Sequence, residues 1–167
     1  FYSMIGDNIG PNIYSMGQFD GYLANARMDN SVAWRGTFGK FTAGASVSLG
    51  RDVAGSIPAG GCAGESGTDK KACRQYTGAL QYATADWGVA LAVDKQYGGA
   101  GAGSPLPSSS QTDTRTLGSG YFKVGPAKIG LTWLHRKNEG AVAPTTDLYT
   151  VGVTYPVAGW SFDLIYS

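Results

Sequence analysis

The most constraining feature of this chain is a period-two alternation of apolar and polar residues that recurs in segments mostly eight to eleven residues long. Successive side chains of an extended strand point to opposite faces, so the pattern specifies strands with two unlike faces. Eight candidate strands follow, near residues 29–36, 41–50, 75–84, 87–97, 115–124, 128–137, 147–156 and 160–167. In the second, Phe41, Ala43, Ala45, Val47 and Leu49 share one face and Thr42, Gly44, Ser46 and Ser48 the other. The eighth sets Trp160, Phe162, Leu164 and Tyr166 against Ser161, Asp163 and Ser167. One face is expected to be apolar throughout, and the other small, polar or charged. The fifth strand is the irregular member, because Leu117 and Lys123 share a phase that Phe122 and Val124 do not.

The connections alternate between short (36–40, 84–87, 125–128, 156–160) and long (51–74, 98–114, 137–146). A soluble sandwich has no reason to gather its long loops at one end, whereas a transmembrane barrel has tight turns on one side and long loops on the other. No run approaches the 18 or so apolar residues of a membrane helix, while the strand lengths suit a tilted bilayer crossing of about 9–11 residues. The polar face separates barrel types. A soluble barrel points its polar face outward and enriches it in Lys and Glu; here that face is mostly Gly, Ala, Ser and Thr, as an open aqueous lumen requires. Composition agrees, with 26 glycines in 167 residues and 15% charged residues. Aromatics stand at two levels, Trp34, Phe41, Tyr82, Trp87, Tyr155 and Trp160 beside the short turns and Tyr76, Tyr97, Trp133, Tyr149 and Tyr166 toward the long loops, as two membrane interfaces select. The expected fold is therefore an all-β antiparallel transmembrane barrel. A net charge of +1 with no block of either sign argues against a nucleic-acid partner.

Two runs carry a family resemblance. Arg27-Met28-Asp29-Asn30-Ser31-Val32-Ala33-Trp34-Arg35, followed by Thr37-Phe38-Gly39-Lys40-Phe41-Thr42-Ala43-Gly44-Ala45, resembles the strand after the constriction loop of Gram-negative general porins of the β-proteobacterial type. Gln75-Tyr76-Thr77-Gly78-Ala79-Leu80-Gln81-Tyr82 and Asp147-Leu148-Tyr149-Thr150-Val151-Gly152-Val153 fit the same family. The resemblance implies a sixteen-stranded homotrimer set among outer-membrane lipid and lipopolysaccharide, with this chain as an internal segment carrying the sixth to thirteenth strands. Residues 1–28 would be the loop folded into the lumen, and 29–167 would be eight strands of one incomplete barrel domain. The implied function is passive diffusion of ions and small hydrophilic solutes, with no cofactor.

The resemblance also assigns a constriction, in which loop carboxylates face basic wall residues. Asp20, in Gly17-Gln18-Phe19-Asp20-Gly21, is the loop acid, with Asp7 as a weaker candidate. Arg27 is the wall base, eight residues before Arg35, and both share the lumen phase of Asp29. The competing readings make Asp20 a turn cap and pair Arg27 with Asp29. Asp94, Lys123, Arg136 and Asp163 are also in the lumen phase, where a solvated polar wall explains them equally well. Cys62 and Cys73 lie in the longest connection, and in an exported chain two cysteines favour a disulfide, worth about 3 kcal/mol by loop entropy. A metal site lacks ligands, since the only histidine is His135. The glycine-rich run Gly99–Gly103 opens no helix and lacks the Lys-Ser/Thr of a phosphate loop, and no nucleophile motif suggests an enzyme. The alternative to a porin is a complete eight-stranded barrel serving as an anchor or adhesion module.

Overall fold

A computed structural model describes residues 30–50, 66–99, 106–140 and 145–166. They form one eight-stranded antiparallel sheet in sequence order. Its strands are β1 (Ser31–Phe38), β2 (Phe41–Ser48), β3 (Gln75–Ala83), β4 (Trp87–Tyr97), β5 (Thr112–Val124), β6 (Ala127–Asn138), β7 (Thr145–Val157) and β8 (Trp160–Tyr166). Each strand pairs only with its sequence neighbours, so β1 and β8 are open edges among the described residues. No helix among them is long and apolar enough to cross a membrane.

Short connections are built by turn chemistry. Gly125 has φ +57 and Pro126 follows it, a sign pattern that suits a two-residue hairpin with glycine first. That turn fixes Val124 opposite Ala127 and Lys123 opposite Lys128. Between β3 and β4 the Thr84 hydroxyl accepts the amides of Asp86 and Trp87, at 3.3 and 3.0 Å. The long loops brace each other instead: the Cys73 amide donates to Gly98 O at 3.1 Å, and Gly98 N donates to Gln111 O at 2.9 Å.

The two faces are inverted relative to a soluble protein. Every large exposed apolar residue on the strands lies in the apolar phase, from Val32 and Trp34 on β1 to Trp160 and Leu164 on β8, the last two 76% and 73% exposed. The polar phase is the buried one on the central strands, with Thr42, Ser46, Ser48, Gln75, Gln96, Thr132 and Thr150 all buried. Water is a poor solvent for so large an apolar surface, and lipid is a good one.

The register reveals tilt. One row of partners runs Phe38, Phe41, Tyr82, Val89, Gly120, Leu131, Val151 and Tyr166. It begins beside the first tight turn and ends at the far end of β8. Rows that climb from one end of the sheet to the other arise when strands are tilted and staggered, as in a barrel wall.

The expected strands are all present, with adjusted ends. β1 begins at Ser31 rather than residue 29, because Asn30 has φ +48, a left-handed conformation that interrupts extended chain. β5 begins at Thr112 and β7 at Thr145, since ladder pairing extends into polar segments that read as loop. Leu117 and Lys123 lie on the polar face of β5, so the irregular phase is real. The polar face also departs from its expected small and polar character. Leu117, Leu134 and Leu148 are consecutive partners in one row and pack with Ala79, Ala90 and Ala92; Leu134 is 1% exposed.

Candidate functional site

The polar face of β3–β6 carries a chain of ionic contacts directly beside the leucine row. Alternation puts Gln75, Thr77, Asp94, Asp113, Arg115, Arg136 and Asn138 on this face. Pairing then aligns Thr77, Asp94, Arg115 and Arg136 in one row and Gln75, Gln96, Asp113 and Asn138 in the next. Asp94 accepts the Thr77 hydroxyl at 2.6 Å, Gln75 Nε2 at 2.8 and 2.9 Å, and Arg115 Nη1 at 3.4 Å. Arg115 Nη2 donates to Asp113 Oδ2 at 2.7 Å. Arg136 grips the same carboxylate with Nε at 3.1 and 3.2 Å and Nη2 at 2.8 Å, and Asn138 Nδ2 completes the set at 3.5 Å.

Two carboxylates and two guanidiniums balance, so this ladder is neutral. The side chains of Arg115 and Asp113 are 6% and 4% exposed. Desolvation of such pairs roughly cancels their attraction, but loss of one member strands a buried charge. The arrangement therefore fixes side-chain positions on the wall.

The other end of the polar face is different. Lys123 and Lys128 are direct cross-strand partners, and the Lys128 ammonium sits 4.5 Å from the centroid of the Tyr121 ring. Further along that row, Thr154 donates to Asp163 at 2.6 Å, with Ser161 Oγ at 3.4 Å. Arg35 stands on the polar face of β1 opposite Gly44. Asp94 and Arg136 are thus drawn into one network, while Lys123, Asp163 and Arg35 stand apart from it. Asp7, Asp20, Arg27, Asp29 and Cys62 lie outside the described residues; Cys73 is buried. No group of three or more metal-ligating side chains occurs among the described residues.

Asp113 and Arg115, the centre of the ladder, are absent from the sequence-based site. The signal was available: both continue the phase of Leu117 at intervals of two, but Thr112–Thr114 reads as loop composition. At the long-loop end, Glu139 Oε2 accepts the Thr112 amide at 2.8 Å and its hydroxyl at 3.2 Å. The Thr112 amide, then its hydroxyl and the nearby Lys137, hold the Glu139 carboxyl below its usual range.

An exposed apolar face over a buried, ion-paired polar one is the arrangement of a wall between lipid and water. The family model of Gram-negative porins matches residues 1–167. The chain belongs to the Gram-negative porin family. Comparison with curated proteins gave no match. Porins reside in the outer membrane, which makes the apolar face of this one its lipid-facing side. Its aromatics pack there in two groups, Phe41–Tyr82–Trp87 near the short turns, with centroids 4.8 and 5.1 Å apart, and Tyr76–Tyr97 near the long loops at 6.1 Å. Beside the second group Asp147 also points to the lipid side, where it accepts Trp133 Nε1 at 3.0 Å and lies 2.9 Å from His135 Nδ1. A carboxylate on that face needs such partners.

Proposed function

We propose that this porin forms a water-filled channel through which ions and small hydrophilic solutes diffuse passively, and that it is not an enzyme. The observation that carries the reading is the inverted surface: large apolar side chains exposed on one face, and the Asp94–Arg115–Asp113–Arg136 ladder held on the other. Passive diffusion needs a hydrated passage whose width and charge sort solutes, and a polar wall braced by its own ion pairs supplies one. The climbing register and the open edges at β1 and β8 support a barrel larger than eight strands, and speak against a complete eight-stranded anchor. Sixteen strands and a homotrimer among lipid and lipopolysaccharide complete the proposal.

Within that channel residues 1–28 form the loop that enters the lumen. Asp20 and Asp7 are its acids, and Arg27, with Asp29 and Arg35 in the same phase, forms the facing wall. Cys62 and Cys73 form a disulfide that closes the longest loop; the burial of Cys73 and the absence of a free thiol among the described residues support it.

The test is conductance of the full-length protein in planar bilayers. Stepwise openings are expected, grouped in threes for a trimer, with a shifted reversal potential in Arg27→Ala. Silent bilayers would overturn the channel; an unchanged reversal potential would remove Arg27 from the constriction.

A further inference from the structure

We propose that Lys123 and Lys128 form an anion site at the short-turn end of the polar face, suited to a small oxyanion such as phosphate or a carboxylate. The inference rests on the channel reading for access, because a hydrated polar face is what brings a solute to these side chains.

The two lysines directly oppose each other across β5 and β6. Directly opposed residues have Cβ atoms about 4.5–5.5 Å apart, and like charges there repel. Everywhere else on the polar face of β3–β6 opposite charges are paired, yet among the described residues neither ammonium meets a carboxylate within ion-pair distance. The nearest carboxylate on the same row, Asp163, is two strands from Lys128 and already accepts Thr154 and Ser161. The Lys123 side chain is exposed, and its backbone amide donates to the Asp86 carbonyl oxygen at 2.8 Å.

The second lysine is held in place. Tyr121 donates its hydroxyl to Thr84 O at 2.8 Å. Its ring covers Gly88, where a Cβ would come within 2.6 Å of it. On that fixed ring rests the Lys128 ammonium, 4.5 Å from the centroid. A ring positions a cation without cancelling its charge. One ammonium is therefore preorganised and the other is exposed directly opposite it, and a small oxyanion between them converts their repulsion into two attractions.

The site is tested by phosphate titration of the full-length protein in an uncharged detergent at low salt, followed by the width of the phosphorus resonance of inorganic phosphate. Broadening is expected with the native protein. Removing one unit charge about 5 Å from an anion in water weakens binding about fourfold. Lys123→Gln and Lys128→Gln should each lose that factor, the double variant about its square, and Lys128→Arg should retain binding. Thermal midpoints of the Gln variants should hold or rise, because a repulsion is relieved, which separates loss of the site from misfolding. Equal broadening by the native protein and the double variant overturns the proposal, as does no broadening by the native protein. The titration needs no conduction, so silent bilayers would refute the channel while leaving this result to decide the site.

Discussion

Asp113→Asn tests whether the ladder braces the wall. The substitution keeps the side-chain shape and removes the charge on which both arginines converge, Arg115 at 2.7 Å and Arg136 at 2.8 Å. Arg115 keeps its longer contact with Asp94 at 3.4 Å, and Arg136 loses its 2.8 Å ion pair with Asp113. Removing one member of a buried pair typically costs about 3–5 kcal/mol. Arg136 is 23% exposed, so water recovers part of its loss and the lower end, about 3 kcal/mol, is expected. Asp163→Asn is the control. Its exposed carboxylate accepts hydroxyls only, and its removal should cost about 1 kcal/mol or less. A third variant, Asp113→Leu with Arg136→Leu, removes opposite charges together and should cost less than Asp113→Asn alone if stranded charge is the cause. The assay is urea unfolding of full-length protein folded into phosphocholine vesicles, followed by tryptophan fluorescence. Equal costs for Asp113→Asn and Asp163→Asn would refute the argument, and so would a double variant worse than the single.

Other consequences are reached more directly. Gly88→Ala should lower the thermal midpoint, at a cost of about 1–3 kcal/mol, because its Cβ would meet the Tyr121 ring at 2.6 Å and the Tyr82 carbonyl oxygen at 3.0 Å; Tyr121→Phe, which removes only the bond to Thr84, should cost about 1 kcal/mol. Leu91→Arg, on the exposed apolar face, should cost about 2–4 kcal/mol in a bilayer, while Gln81→Arg on the polar face should cost far less by the same vesicle assay. The Glu139 carboxyl is depressed, so its link to Thr112 is fully present above the unfolded carboxyl value of about 4.3 and is lost as pH falls through the lower folded value. The protection factor of the Thr112 amide, the exchange rate of an unfolded chain divided by its own at the same pH, should fall below that point, and Glu139→Gln should flatten the dependence. Reducing the proposed Cys62–Cys73 disulfide should lower stability by about 3 kcal/mol, read as a shifted unfolding midpoint with and without reductant.

The strands were legible because lipid enforces the alternation: Trp87, Val89, Leu91 and Val93 cannot change phase without turning polar residues toward hydrocarbon. The short turns were legible through residues such as Gly125-Pro126 and Ala158-Gly159, whose positive φ at Gly125, Ala158 and Gly159 closes a hairpin. What escaped sequence reading depends on register. Leu117, Leu134 and Leu148 are single exceptions on three strands, and only pairing makes them a cluster. Asp113 sits in a segment whose polarity resembles a loop, and Arg115, at the start of the expected fifth strand, meets Asp94 only through the register with β4. The lipid-facing Asp147 was hidden in the same way, since Trp133 and His135, which satisfy it, belong to another strand.

Register also decides what the wall's charges do at a distance. The described polar face holds five cationic side chains (Arg35, Arg115, Lys123, Lys128, Arg136) and three anionic ones (Asp94, Asp113, Asp163). The ladder consumes two of each sign in contacts of 2.7 to 3.4 Å, and such close pairs leave little field beyond their own surroundings. What remains is Arg35, the opposed lysines and Asp163, a net excess of positive charge. Uncompensated charges act over the Debye length, about 8 Å at physiological ionic strength. The part of the wall densest in charge is thus electrostatically quiet, and the uncompensated positive charge of the described polar face lies at the sparser short-turn end and on β1. Neutralising the ladder as a pair should therefore change stability more than permeation, whereas neutralising Lys123 and Lys128 should do the reverse.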